Sequence, residues 1–148
     1  MCSAASAGVV YEFEGTVGQP PNLQGGGFTY SANTFVTSTL TVPASALDEC
    51  HVSSPSAQCN GVQFLPDFFA GYDAIGFSFL NTGYHLFYFV DGAFSKPGFY
   101  GPAIPNLSNR ATLIVREVST VPEPGPMALL LASLALIAST RALRRGAK

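Results

Sequence analysis

The chain predicts an all-β fold: an antiparallel β-sandwich of about seven strands, Ig-like or jelly-roll-like, with an apolar helix at its C-terminus. Three observations predict it. Apolar residues recur mostly every second position, the period of a half-buried strand. Fifteen Gly and eleven Pro in 148 residues turn the chain often. Twelve Phe and six Tyr supply strand-favouring aromatics. Before residue 126 no segment of ten or more carries a helical stripe.

The elements follow in order. Val9, Tyr11, Phe13, Gly15 and Val17 share one strand face, and Val10, Glu12, Glu14 and Thr16 the other. Gly25-Gly26-Gly27 reads as a turn entering a short strand through Phe28-Thr29-Tyr30. Val36 to Val42 is rich in β-branched residues, and Gly61 to Leu65 is a shorter strand. Ala74 to Leu80 places Ile75, Phe77 and Phe79 together. Asn81-Thr82-Gly83 stands at hairpin distance between two aromatic runs. Tyr84 to Val90 is apolar on both faces, which predicts a central strand, and Asp91-Gly92 ends it. Ala111 to Val118 alternates less cleanly. Pro43, Pro55, Pro66, Pro97, Pro102 and Pro105 fall outside these strands or at their ends, where proline is tolerated.

Charge divides unevenly. Residues 1–120 hold three basic and eight acidic side chains, and residues 121–148 hold four basic and one acidic. Charged residues make up only 11% of the chain against about 25% in typical domains, which excludes a disordered polyelectrolyte and a coiled coil. The acidic body has no basic patch to neutralise phosphates, so nucleic acid is not an expected partner.

The C-terminal segment has three parts. Val121 to Pro126 is proline-rich and cannot be regular helix or inner strand. Met127 to Ala138 is uncharged and apolar on every face. Arg141, Arg144 and Arg145 close it. A helix from Met127 to Thr140 is about 21 Å long at the usual rise per residue. The bilayer core is about 30 Å thick, so extension to Leu143 and snorkelling arginines are needed to cover the gap. The basic cluster stays cytoplasmic by the positive-inside rule, which places the body outside the cytoplasm.

This order, with Pro122, Glu123 and Pro124 at its head, resembles the PEP-CTERM sorting signal of exopolysaccharide-producing Gram-negative bacteria. The resemblance covers residues 121–148 and no more of the chain. It implies a membrane-embedded exosortase, a cysteine transpeptidase-like enzyme, as partner. It implies cleavage near the motif, transient anchoring in the inner membrane, and release to the cell surface or extracellular matrix. The domain plan is then an export-signal remnant at 1–7, a β-sandwich at 8–120, a linker with the sorting motif at 121–126, and a helix with basic tail at 127–148. Residues 1–7 lack the basic start and apolar stretch of an export signal, yet Ala5-Ser6-Ala7 fits the small-x-small pattern that ends one. The expectation is that the natural start lies upstream. A lipid-modified Cys2 is the weaker reading, because the leucine-rich run it needs is missing.

Cys50 and Cys59 form a pair in a polar loop, and Cys2 departs with the export signal. An oxidising compartment makes that pair a disulfide. Cys50, His51 and Cys59 do not have zinc-knuckle spacing and lack an obvious fourth ligand, so no metal or other cofactor is expected. Glu12 and Glu14 share a strand face about 7 Å apart, a spacing that raises glycoside hydrolysis, but alternation toward solvent explains both. No Gly-x-Ser-x-Gly elbow marks an activated serine, and His85 reads as a hydrogen-bonded sheet histidine. Asp67, Asp73 and Asp91 lie near turns without an Asp-rich loop repeat. No catalytic residue and no enzyme activity are therefore expected.

Phe68, Phe69, Tyr72, Phe94, Phe99 and Tyr100 fall in loops or at strand edges. Aromatic rings there can fold inward as core or stack on sugar rings. Tyr72 and Tyr100 are the candidate ligand-binding residues. The reading is thus an exported, non-enzymatic surface or matrix protein with a structural or adhesive role. The alternative is a carbohydrate-binding module for matrix exopolysaccharide.

Overall fold

A computed structural model describes residues 7–18, 22–54, 57–80, 83–104 and 109–119. Residues 1–6 of the expected signal remnant, the sorting motif, the apolar helix and the basic cluster lie outside these residues, whereas Ala7, the last residue expected of the remnant, opens the first strand and pairs with Ser119. Two antiparallel sheets pack face to face as a sandwich. Nine strands build them among the described residues: β1 Ala7–Val17, β2 Gln24–Ala32, β3 Leu40–Pro43, β4 Glu49–Val52, β5 Gly61–Phe69, β6 Tyr72–Leu80, β7 Gly83–Val90, β8 Gly98–Tyr100 and β9 Arg110–Ser119. The five-stranded sheet runs β4-β2-β1-β9-β8 and the four-stranded sheet runs β3-β5-β6-β7. Among the described residues no helix is long and apolar enough to cross a membrane.

The period of two is fulfilled where the core needs it. Val9, Tyr11, Phe13 and Val17 all point inward from β1 and are buried. Phe64, Ile75, Phe77, Phe87 and Phe89 meet them from the other sheet. Aromatic edges meet aromatic faces across the interface: Phe13 lies 5.0 Å from Phe87 and 5.6 Å from Phe77, both near perpendicular. Such offset and edge geometries add to the burial of apolar area.

Two buried polar groups tie loops to this core. Tyr11 is fully buried, and its hydroxyl donates to the Phe94 carbonyl and accepts from the Val36 N–H, each at 2.8 Å. Burial pushes this phenol above its ordinary pKa; the Val36 hydrogen bond opposes the shift, and the nearby Tyr30 and Asp73 reinforce it. Asp73 is 2% exposed and accepts from the Asp67 N–H at 3.0 Å and the Phe94 N–H at 3.1 Å.

Several expectations need correction. Gly25-Gly26-Gly27 is not a turn but part of β2, between β1 and β4. A side chain at Gly27 would meet the Phe13 carbonyl and the Glu14 carboxylate well inside contact distance, so only glycine fits there. The strand expected over Val36 to Val42 is shorter, Leu40–Pro43, because the Val36 N–H is used by Tyr11. β5 runs on through Pro66 to Phe69, with a bulge between Leu65 and Phe69. Asp67 takes a left-handed φ of 49° there, and the Asp73 carboxylate holds its N–H. β7 is an edge strand, not a central one. Its backbone is met by the Ala103 N–H at the Tyr88 carbonyl and by the Asn109 amide at the Leu86 carbonyl. The strands the sequence does not reveal, β4 and β8, are four and three residues long.

Candidate functional site

The outward positions of the five-stranded sheet line up across all its strands. Cross-strand pairing places Glu49, Thr29, Glu12, Ile114 and Phe99 in one row from β4 to β8. At about 4.8 Å per strand the row spans about 19 Å. The adjacent row holds His51, Gly27, Glu14 and Thr112. An open groove of about 550 Å3 is lined by Glu49, Thr29, Glu12 and Ile114 of the first row and by His51, Glu14 and Thr112 of the second, together with Asp48. That volume falls within the usual range of small-ligand sites, about 300–1,000 Å3.

Contacts from other strands hold two of the carboxylates. Arg116 reaches Glu12 at 3.0 Å. His51 reaches Glu14 at 3.0 Å, from β4 to β1 across the whole width of β2. Gly27 stands between them and has no side chain to block the contact. Glu12 and Glu14 therefore project outward, as alternation requires, and each faces a side chain from another strand, Arg116 and His51, rather than the other. Asp48 and Glu49 form no ion pair among the described residues, so the groove carries a surplus of negative charge. Its chemistry is that of carboxylate acceptors beside threonine hydroxyls; Phe99, 69% exposed, continues the row on β8 beyond the residues that line the groove.

The other sheet presents a different surface. Outward from β7 come Tyr84, Leu86, Tyr88 and Val90. Tyr84 packs over Gly76, and the Phe68 ring lies 6.4 Å from Tyr88. The β5 bulge leaves Phe68 and Phe69 exposed, Phe69 to 66%, beside half-buried Tyr72.

The aromatic residues named from sequence thus separate. Phe94 is wholly buried and belongs to the core. Tyr72 stands outward on β6 opposite Phe69 and Val90. Tyr100 lies on the other sheet, opposite inward-facing Leu113, packs against the core, and donates its hydroxyl to the Lys96 carbonyl at 2.9 Å. The fold does not bring Tyr72 and Tyr100 to one site. Cys50 and Cys59 are joined in a disulfide. His85 sits on β7 opposite Phe77, half-buried. Among the described residues no group of three or more His, Cys, Asp or Glu could hold a metal ion. The Glu49 to Phe99 row was not foreseen, because its signal lies in strand order rather than in local period.

No protein-family model, curated protein or solved structure matches the chain.

Proposed function

We propose that this chain is an exported, non-enzymatic β-sandwich protein, sorted by its C-terminal segment to the cell surface or extracellular matrix, where it has a structural or adhesive role. The observation that carries the reading is the sequence of the C-terminal segment: Pro122-Glu123-Pro124, an uncharged apolar run, then Arg141, Arg144 and Arg145. The Cys50–Cys59 disulfide supports it, since such bonds persist in oxidising compartments. The partners in this reading are an exosortase-type transpeptidase and, transiently, the inner membrane. The test is to fractionate native cells carrying the wild-type chain or one with Pro122, Glu123 and Pro124 changed to alanine. Wild-type protein is expected outside the cells and the variant in the membrane fraction. An identical distribution of the two would overturn the reading.

A second reading, glycan binding, is favoured by the groove, whose carboxylates and threonine hydroxyls offer hydrogen bonds, with the exposed Phe99 ring next along the row on β8 for stacking. Its negative surplus disfavours glycans rich in uronate or sulfate. Phe99→Ala and Glu49→Gln should each abolish binding seen on a glycan array. Tyr72→Ala tests the opposite face. Retention of binding in the first two variants and its loss in the third would move the site to the aromatic face. Among finer sandwich types, the first and last strands are neighbours in one sheet, whereas in Ig constant-type domains they lie on different sheets. That supports the jelly-roll-like reading.

A further inference from the structure

β4 is one of the two short edge strands of the five-stranded sheet. It is four residues long, lies at the edge, pairs only with β2, and has no buried residue. Two of its partners, Gly26 and Gly27, have no side chain, so half its cross-strand pairs lack the contacts that normally stabilise a ladder. Backbone bonds extend the ladder at each end, from Asp48 N–H to the Thr29 carbonyl and from Ser53 N–H to the Gly25 carbonyl. The His51–Glu14 pair is well exposed on both sides and adds little.

The disulfide is a different kind of anchor. Cys50 points inward from β4, and Cys59 lies two residues before Gly61, where β5 begins. β5 is an inner strand of the other sheet, between β3 and β6. The bond therefore ties a loosely held edge strand of one sheet to a firmly held strand of the other.

What β4 covers makes this consequential. The backbone groups of Gly25 and Thr29 that meet the β4 segment face outward along the β2 edge, and alternation gives Gly27 the same direction. β2 itself, Gln24–Ala32, contains no charged residue and no proline. It has none of the devices that stop an edge strand from pairing with another chain. Those devices sit on the β4 segment, as Asp48, Glu49 and His51.

We propose that the Cys50–Cys59 disulfide is a redox latch on β4, and that its reduction opens the β2 edge to antiparallel pairing with β2 of a second copy. The reductant is a dithiol. Its thiolate attacks one cysteine sulfur to give a mixed disulfide, and its second thiol displaces the protein. Cys50 and Cys59 gain the two electrons and two protons, and the dithiol leaves as its own disulfide. A two-fold pairing of identical edges closes on itself as a dimer.

The test uses the full chain with Cys2→Ser, in mild non-ionic detergent, so that no intermolecular disulfide contributes. Amide exchange by mass spectrometry and light-scattering mass are measured with and without dithiothreitol. Reduction is expected to speed exchange at residues 49–52 by about 30- to 100-fold, the factor expected from losing a loop closure of this size. β1, β5 and β6 should stay protected. The mass should rise from monomer to dimer with concentration, and reoxidation should reverse it. Cys50→Ser with Cys59→Ser should dimerise without reductant. Adding Thr29→Pro, which deletes an outward edge donor of β2, should lower that dimerisation at least tenfold. A reduced protein that stays monomeric with β4 protected overturns the proposal. So does loss of protection throughout the sandwich, which would make the bond a global staple, and so does dimerisation indifferent to Thr29→Pro.

Discussion

The two outer faces of the sandwich arise from the same alternating strands and differ in chemistry. On the five-stranded sheet carboxylates, threonines, His51 and Arg116 stand outward beside the apolar Ile114 and Phe99, and Glu12–Arg116 and Glu14–His51 contacts cross between strands. On the four-stranded sheet β7 turns Tyr84, Leu86, Tyr88 and Val90 outward, extended by Phe68 and Phe69, while Gln63 and Thr41 stand outward on β5 and β3. Their inner faces are alike, both dominated by Phe and branched aliphatics. Packing constrains what points inward; it does not specify what points outward. The difference between the faces is therefore where function is written, and experiments that separate the faces are the informative ones.

The largest effect should come from the core that both faces share. Phe64 is fully buried and its ring meets those of Tyr11, Phe28, Tyr30 and Phe94. Phe64→Ala should cost about 3–5 kcal/mol in denaturant unfolding and loosen both faces together. Loss confined to one face would show that the sheets are stabilised independently.

Asp73→Ala should be next, at about 3 kcal/mol, because it leaves the Asp67 and Phe94 N–H groups without their acceptor. Its signature is local. Exchange should accelerate at residues 67–69, which include Phe68 and Phe69, while the Glu12–Arg116 side keeps its protection. Equal acceleration on both sheets would deny Asp73 a role specific to the aromatic face.

Tyr11→Phe should cost about 2 kcal/mol by stranding the Val36 N–H and the Phe94 carbonyl. It also changes the alkaline limb. The folded protein holds Tyr11 neutral above its ordinary value of 10.0, so the unfolded chain ionises first and stability falls as pH rises past that point. Below it the contribution is fully present. Unfolding curves at pH 8 to 11 should show a shallower fall for the variant, and parallel falls would place the phenol's ionisation elsewhere.

The smallest effect belongs to the polar face. Glu12→Gln removes a solvent-exposed pair with Arg116 and should change stability by no more than about 0.5 kcal/mol. A larger loss would mean that this face is part of the structural core of the sheet.

The sequence makes one side of this comparison legible and hides the other. The run Val9, Tyr11, Phe13 announces β1 because burial on one face imposes a period of two. The Cys50–Cys59 pairing is legible from compartment logic and cysteine count. β4 is not, since Glu49-Cys50-His51-Val52 is polar, nowhere buried, and answered by glycines. The extension of β5 past Pro66 is hidden too, because it depends on a carboxylate from β6 holding the bulge. Val36 misleads because its β-branched neighbourhood reads as strand while its N–H serves a tyrosine 25 residues away. The row from Glu49 to Phe99 needs strand order, which no local pattern encodes.

The central claim is that the chain leaves the cytoplasm and is processed at its tail. Intact-mass analysis of protein recovered outside its native cells, with and without reductant, tests it most directly. The account predicts an N-terminus at Gly8, loss of the sequence beyond the Pro122-Glu123-Pro124 region, and a gain of two hydrogens on reduction of Cys50–Cys59. A mass matching the intact Met1–Lys148 chain would contradict it.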